Sequence, residues 1–600
     1  MYDVQLTMLC EAGDQQLARA IWRPFKTKQL FTDMDNQMTG ASTSTPKLAQ
    51  GGVIAGIGRY SSGVTAYFAP NGDTYSRTIR IRTVAWIDRN NSGVLDATEP
   101  QRTVDTTYSF ALKRSGVFDY TYFVNNFGWM TGFTTTNLIV NGDMRSNGDF
   151  TFTNGSGTVN GTVIASYNGK LTPVAQGVIN LSPNKWNVAT YNANRAGNSM
   201  GTRWRPSYST SMIGNPGDSK FTNFRDLVYQ DVATMVDNRP FGSIMQDVNG
   251  TRGWAYNNGA LTTSVLDTTQ SQELPMPDLS SFGSLNDVAN VNGGRFAKSK
   301  AWTDTKSAFL DGTANPNYSG NSNAQQEFIN GVPNPNYTGA YLDVWDSTTN
   351  AYKRLSSNGV VSAPVLLSGT QANPIRIHGP VTVSGDIGIA GYVTGQGTIY
   401  CSRNAHVLGS VIYKNPPNFT GTDMNAIDMA TEKADMLGIA ASQSVIMGDT
   451  TNFGTNPLQF MTPPFTKVRT DDNGNTIPAY DANTTDAWGK KKYQSLLEFG
   501  ATATAYKNMA SGGVNQLDAI VYTNFCGGGN VGTGGNGFTV NGSIISKDEA
   551  MVTFSLPMYM NYDNRIRERN LSQRPLIDID IPRAPYVIRT SWQDRGFNSK

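Results

Sequence analysis

The sequence predicts a mostly β chain: an N-terminal α-helix, a small antiparallel β domain, and then a β-helix assembled from separated segments with long loop excursions. Three observations point there. Gly is abundant, at 61 of 600 residues, while only 16% of residues are charged, a mixture that favours turns and short strands over long helices. Asn-Gly pairs punctuate short apolar-alternating pieces between residues 138 and 165. Glycines 379, 385 and 391 recur at a six-residue step with β-branched pairs between them.

Aromatic residues make up 10% of the chain, so there is ample surface to bury and the chain reads as folded. Its 48 basic and 46 acidic residues leave a net charge of +2, and no Lys/Arg run forms a phosphate track, so nucleic acid is not an expected partner. Around Arg565, Arg567, Glu568 and Arg569 the signs are mixed. No apolar run is long enough to span a membrane, and no signal peptide is evident. With two His, zinc, haem and Ser-His-Asp chemistry are poorly supplied. Of the three cysteines, Cys10, Cys401 and Cys526, the last two are the better disulfide pair, and the plainer reading is three small apolar residues.

Residues 1–24 form the first predicted element. Leu6, Cys10, Gly13, Leu17 and Ile21 recur at helical spacing over 3–22, and Pro24 is expected to stop the helix. Residues 50–130 read as a β-sandwich-like domain. Its strands include Ile79, Ile81, Thr83 and Tyr108, Phe110, Leu112, with Pro70-Asn71-Gly72-Asp73 as a turn. Residues 131–600 read as the composite β-helix, with insertions at 185–365 and 415–515. In the stretch from Pro374, apolar pairs Ile375/Ile377, Val381/Val383 and Ile387/Ile389 alternate with the glycine corners. Residues 517–562 have the same texture, and the run Gly527 to Gly537 reads as a flexible loop. It lacks the Lys-Ser/Thr ending of a phosphate loop. The insertions carry Pro-Asn-Tyr turns at 316–318 and 335–337, and two predicted helices near 423–437 and 485–499.

One motif carries a chemical argument. Residues 88–99 read DRNNSGVLDATE, which fits a calcium loop. Asp88, Asn90 and Ser92 fall at positions 1, 3 and 5, with Gly93 at the sharp turn. Val94 offers its carbonyl at 7, Asp96 falls at 9, and Glu99 takes the bidentate position 12. Calcium needs six to eight hard oxygens, and this spacing wraps them around one point. The flanks are strands, not helices, so the loop is expected to join two strands and to pin them with calcium. The alternative is a polar hairpin loop without metal. A second cluster, Asp471, Asn473 and Asn475, lacks the downstream acid and reads as a turn.

No catalytic constellation emerges. Asp143, Asp149 and Asp386 follow corner glycines, where turn chemistry accounts for them. His378 and His406 are expected as ladder residues, and Asp578 and Asp580 as partners of Arg565 or Arg567. Nothing converges as the acid pair of a glycan-cleaving enzyme would.

Several stretches carry a resemblance. They are Phe118-Asp119-Tyr120, Tyr122 to Trp129, Asn141 to Gly148, Gly379 to Val383, Gly391 to Gly397 and Asn541 to Ile545. Together they resemble large PilX-type pilus-assembly and type IV pilin-like bacterial surface proteins. Leu9-Cys10-Glu11-Ala12-Gly13, with Leu17 to Ala20, is similar to the stretch just after the hydrophobic helix of that family. The resemblance implies a pilin-like helix, a small β domain and a β-helix, and no catalytic residues. The hydrophobic helix and its processing site are not present in this sequence, as if trimmed or started late. The expected function is therefore an extracellular, cell-surface structural protein of a pilus-like filament or surface assembly, with adhesion as a further role. Its expected partners are copies of itself or other pilin-like subunits, and a surface glycan. The alternative is a carbohydrate-binding or polysaccharide-cleaving β-helix protein.

Overall fold

The computed structural model describes residues 2–165, 339–419, 432–448, 513–547 and 552–598, apart from short gaps, with brief pieces between them such as 254–261 and 274–279. The chain divides into two compact units. One comprises Met1–Arg114 with Arg583–Lys600, and the other holds most of Ser115–Pro582.

In the first unit, α1 (Tyr2–Lys28) carries Leu6, Leu9, Cys10, Leu17, Ala18, Ile21 and Phe25 on one buried face. Pro24 lies inside the helix and does not stop it. Proline removes one i→i−4 bond, and here only a single turn follows it, so little is lost. After α2 (Thr32–Met38) come β1 (Lys47–Ile54), β2 (Gly58–Phe68), β3 (Ser76–Trp86) and β4 (Gln101–Arg114). They form an antiparallel meander that a C-terminal strand, Arg583–Asn598, completes beside β4. Ile79, Ile81 and Ala85 of β3 and Val104, Tyr108, Phe110 and Leu112 of β4 point to one face and are buried there. Helix and sheet share this apolar core. Gly13 lets the helix approach, since a Cβ there would lie 2.5 Å from the Tyr60 ring. The unit is thus a single antiparallel sheet backed by a helix, the sheet form of the small antiparallel β domain expected over 50–130. The helix supplies the apolar cover that a second sheet would have given.

The opposite face of the sheet is polar. Asp105 is buried between Arg82, whose Nε and Nη2 donate to it at 2.7 and 2.8 Å, and Arg595, whose Nε donates at 2.8 Å. Burial alone would raise the Asp105 carboxyl, but the two guanidinium groups outweigh it and hold it below its usual range. A carboxyl lowered in the folded state stabilises fully above its unfolded value, near pH 4, and that contribution is lost as pH falls through the folded value. Asp105→Asn is therefore expected to melt below wild type at pH 6–7. The gap should close as the pH drops below about 4, as followed by circular dichroism melts. An equal gap at every pH would contradict this.

The second unit is built on parallel strands stacked in register. Ile375–Val383 pairs in parallel with the long strand Ile387–Cys401, which pairs in turn with Ala405–Tyr413 and Met436–Ala441. Both of these meet Gln516–Thr523, closing a ring of four parallel strands. Next comes Phe538–Ser546, and on it sit two segments from opposite ends of the sequence, Met558–Asn561 and Tyr122–Val124. The stack continues through Leu138–Asn141 and Met144–Ser146 to Thr158–Asn160 and Val163–Ala165. Parallel register places like residues one above another. Val381, Ile399, Ile439, Val521, Ile544, Tyr122 and Met144 form one continuous apolar column. At each end the strands turn antiparallel. Tyr341–Asp346 pairs with Ile375–Val383, and Trp254–Asn257 with Val163–Ala165.

Gly379, Gly385 and Gly391 all take positive φ, +64°, +120° and +91°, but Gly379 and Gly391 do so inside Ile375–Val383 and Ile387–Cys401 rather than between strands. Gly527–Gly529, expected as flexible loop, is instead a strand paired with Val445–Met447 and with Val552–Thr553. The predicted helix near 423–437 gives way at its described end to the strand Met436–Ala441. The helix near 485–499, the Pro-Asn-Tyr turns and the Asp471 cluster lie outside the described residues.

Candidate functional site: the 88–99 loop and the buried acids

The 88–99 loop joins β3 to β4, where Ile87 N donates to Pro100 O at 3.0 Å and closes its base. Asp88 organises the first half. Its Oδ1 accepts from Ser92 N at 3.0 Å and its Oδ2 from Gly93 N at 3.0 Å. Asn90 Oδ1 also accepts from Ser92 N, at 2.9 Å. Gly93 takes φ +76°, the turn that position 6 requires. Glu99 organises the second half: only 2% exposed, it accepts from Arg89 N at 2.9 Å and Asp96 N at 3.2 Å. The two acids at positions 1 and 12 thus tie the loop into a closed turn from opposite ends.

The fit to calcium is mixed. The oxygen donors are hard and their order is right, but several are engaged. Asp88 Oδ2 accepts from Arg59 Nε at 2.6 Å, the Val94 carbonyl accepts from Ser92 Oγ at 3.0 Å, and Asp96 Oδ1 accepts from both Thr98 N and Oγ1. Partial burial opposes ionisation of Asp88, yet Arg59 and the amides of Gly93 and Ser92 keep its carboxyl below the usual range. The Thr98 hydrogen bonds lower Asp96 likewise. Among the described residues no group of three or more His, Cys, Asp or Glu stands close enough to hold a metal. A calcium ion would take the place of Arg59 as counter-charge to Asp88.

The other acids singled out from the sequence are scattered. Asp143 pairs with Arg567 at 3.0 Å. Asp386 is buried under Arg403, at 3.6 Å, and His406 Nε2, at 3.4 Å, and it accepts from Asn404 N at 3.0 Å. His378 is buried against the ring of Tyr341. Both histidines stand within stacked strands, as expected. Asp580 is buried with φ +56°. The Arg565 guanidinium clasps Asp563 with Nε at 2.9 Å and Nη2 at 2.6 Å, while Nη1 reaches Ala434 O and Nη2 Asp435 O. The side chains of Asp149 and Asp578 lie outside the described residues. Cys401 is a free buried thiol, in line with the plainer reading of the cysteines as small apolar residues, and Cys526 lies outside the described residues. Burial raises the Cys401 thiol well above its ordinary value.

Sequence reading missed a polar counterpart to the apolar columns. Asn160 donates to Asn141, Asn141 to Asn561, Asn561 to Asn541, and Asn541 to Asp518, at 2.7–2.8 Å throughout. Each amide passes its N–H to the oxygen one strand along, and the series ends on a carboxylate. The repeated Asn-Gly pairs are the visible signal, though on sequence they read as turns alone.

Among the described residues no helix is long and apolar enough to cross a membrane. No family model matches the chain, and no curated protein matches it. Among solved structures the chain is similar to the competence-associated pilin ComZ from Thermus thermophilus. That likeness has 12% identity over 99% of this chain and 98% of the other, with a TM-score of 0.23, too loose for a shared fold to be argued from it.

Proposed function

We propose that this chain is a non-enzymatic structural protein of a pilus-like filament or cell-surface assembly, with its parallel stack forming a rigid β-helical body. The observation that carries this reading is the order of parts. A long helix covers one face of an antiparallel sheet, and a stack of in-register parallel strands follows, which is the sequence of parts the type IV pilin-like resemblance implies. The first turns of α1 leave Val4 and Met8 exposed, apolar surface suited to neighbouring subunits. The acids that a glycan-cleaving site would need serve as structural anchors instead: Asp143 on Arg567, Asp386 under Arg403, Asp518 at the end of the amide ladder. Immunogold labelling of the producing cells tests the proposal. Label on filaments or at the cell surface is expected, and label confined to the cell interior would refute it.

We further propose that the 88–99 loop takes calcium outside the cell, where millimolar concentrations suit a weak site. Asp88 and Glu99 would hold the ion, with Asn90, Ser92, the Val94 carbonyl and Asp96 completing the oxygen set. Binding stabilises by mass action, so saturating calcium should raise the melting temperature by about 3–6 °C over chelator. Glu99→Gln should abolish that rise. An identical melt with and without calcium would leave the loop as a plain hairpin.

A further inference from the structure

A triad of side chains in the parallel stack meets the requirements for an internal cross-link. Lys547 and Asn524 directly follow the last residues of two neighbouring parallel strands, Phe538–Ser546 and Gln516–Thr523. Thr523 and Ser546 are register partners, and Lys547 N donates to Thr523 O at 2.9 Å. Asp278, on the segment 274–279, bridges them. Its Oδ2 lies 2.7 Å from Lys547 Nζ and its Oδ1 accepts from Asn524 Nδ2 at 3.2 Å. The segment is held there by Ser115 and Tyr522, whose hydroxyls donate to Pro275 O and Pro277 O.

The orientation of the amide is the informative part. Leu279 N–H, which can only donate, lies 3.0 Å from Asn524 Oδ1, and the Tyr522 hydroxyl is 3.1 Å from the same oxygen. This fixes Nδ2 on the side of Asp278. The nitrogen that would leave therefore faces the Asp278 carboxylate, and the oxygen that would gain charge faces a backbone donor. Asn524 is 2% exposed, so water is largely excluded from its carbonyl carbon.

We propose that Lys547 and Asn524 become joined by a side-chain amide bond, with Asp278 as the catalytic acid and base. Asp278 takes a proton from the Lys547 ammonium. The freed amine attacks Asn524 Cγ, forming the new C–N bond, and the carbonyl electrons move onto Oδ1 beside Leu279 N–H. Asp278 returns its proton to Nδ2, the old C–N bond breaks and ammonia departs. The proton still on the new amide nitrogen passes through Asp278 to the ammonia. Overall, an ammonium and a carboxamide give a secondary amide and an ammonium ion, and no oxidant or cofactor is required. Proximity makes such an exchange feasible where the same groups free in water would not react. The bond would lock two adjacent levels of the stack against separation.

Intact-mass and peptide mass spectrometry of the purified full chain test this. The expected result is a mass lower by one ammonia and a branched tryptic peptide joining the segments around Asn524 and Lys547, with no cleavage after Lys547. Lys547→Arg keeps the ion pair to Asp278 but should abolish the branch, as should Asp278→Ala. Asn-Gly pairs such as Asn541-Gly542 can also lose ammonia by forming succinimides, which hydroxylamine cleaves. A mass deficit that hydroxylamine removes, with no branched peptide, would overturn the proposal. So would recovery of an ordinary linear peptide ending at Lys547 from the folded wild-type protein.

Discussion

Gly391→Ala is expected to prevent the parallel stack from forming. Gly391 sits at φ +91°, a conformation that costs an L-residue about 1–3 kcal/mol. Collision adds more than this strain: a Cβ at this position would lie 1.9 Å from the Gly369 carbonyl oxygen, its partner on the neighbouring strand. That contact is with backbone, so no side chain can swing away, and strand spacing would have to widen beyond the ~4.8 Å that the ladder allows. The combined cost should exceed about 4 kcal/mol, in the range reserved for single substitutions with a named steric cause. Gly40→Ala is the matched control, because φ is +78° there but nothing lies within 4 Å of the added carbon. Urea unfolding of the two variants separates strain from collision. Equal losses in both would remove the steric argument.

Arg565→Met should cost about 3–5 kcal/mol, the range for removing one partner of a buried ion pair. The guanidinium is fully buried and satisfies two oxygens of Asp563 and the carbonyls of Ala434 and Asp435. Methionine fills much of the volume but strands the Asp563 charge and removes the guanidinium donors from the Ala434 and Asp435 carbonyls, of which Ala434 O keeps the bond from Gln396 Nε2. Arg565→Lys keeps the charge without the planar fork and should lose an intermediate amount. Adding Asp563→Asn to Arg565→Met should recover part of the loss, since the stranded charge is what costs most. If the double variant is no more stable than Arg565→Met, the ion pair is not the source of the effect.

Much of this architecture could be read from the residues themselves. Glycines 379, 385 and 391 announce their backbone conformation because a positive φ leaves a compositional trace, and the α1 stripe from Leu6 to Ile21 is visible because burial follows the helical period. Neighbour relations leave no such trace. Nothing in Tyr122-Phe123-Val124 reveals that it pairs with Ile544–Ser546, nor that Arg583–Asn598 joins the first sheet, because parallel pairing between distant segments has no local period. Gly527–Gly529 reads as loop for a related reason: glycine is a strong loop signal, and the pairing that makes it a strand comes from distant segments. The 88–99 spacing is legible as a pattern that fits calcium, whereas the competing contacts of Arg59 and Thr98 are not, because they come from outside that spacing or turn its acid aside.

The splice at which Met558–Asn561 and Tyr122–Val124 lie on one strand has a consequence for biogenesis. Asn141 and Asn561 touch although 420 residues separate them. At a synthesis rate of about 5–20 residues per second, the early strands wait on the order of a minute at the ribosome before their neighbours exist. Until then Tyr122–Val124 lacks Phe538–Ser546, and Leu138–Asn141 lacks Met558–Asn561, the strands they pair with in the finished molecule. These two strands therefore cannot complete their pairing while the chain is being made. Maturation then waits for the arrival of the C-terminal segment, and the high contact order of that closure makes it slow.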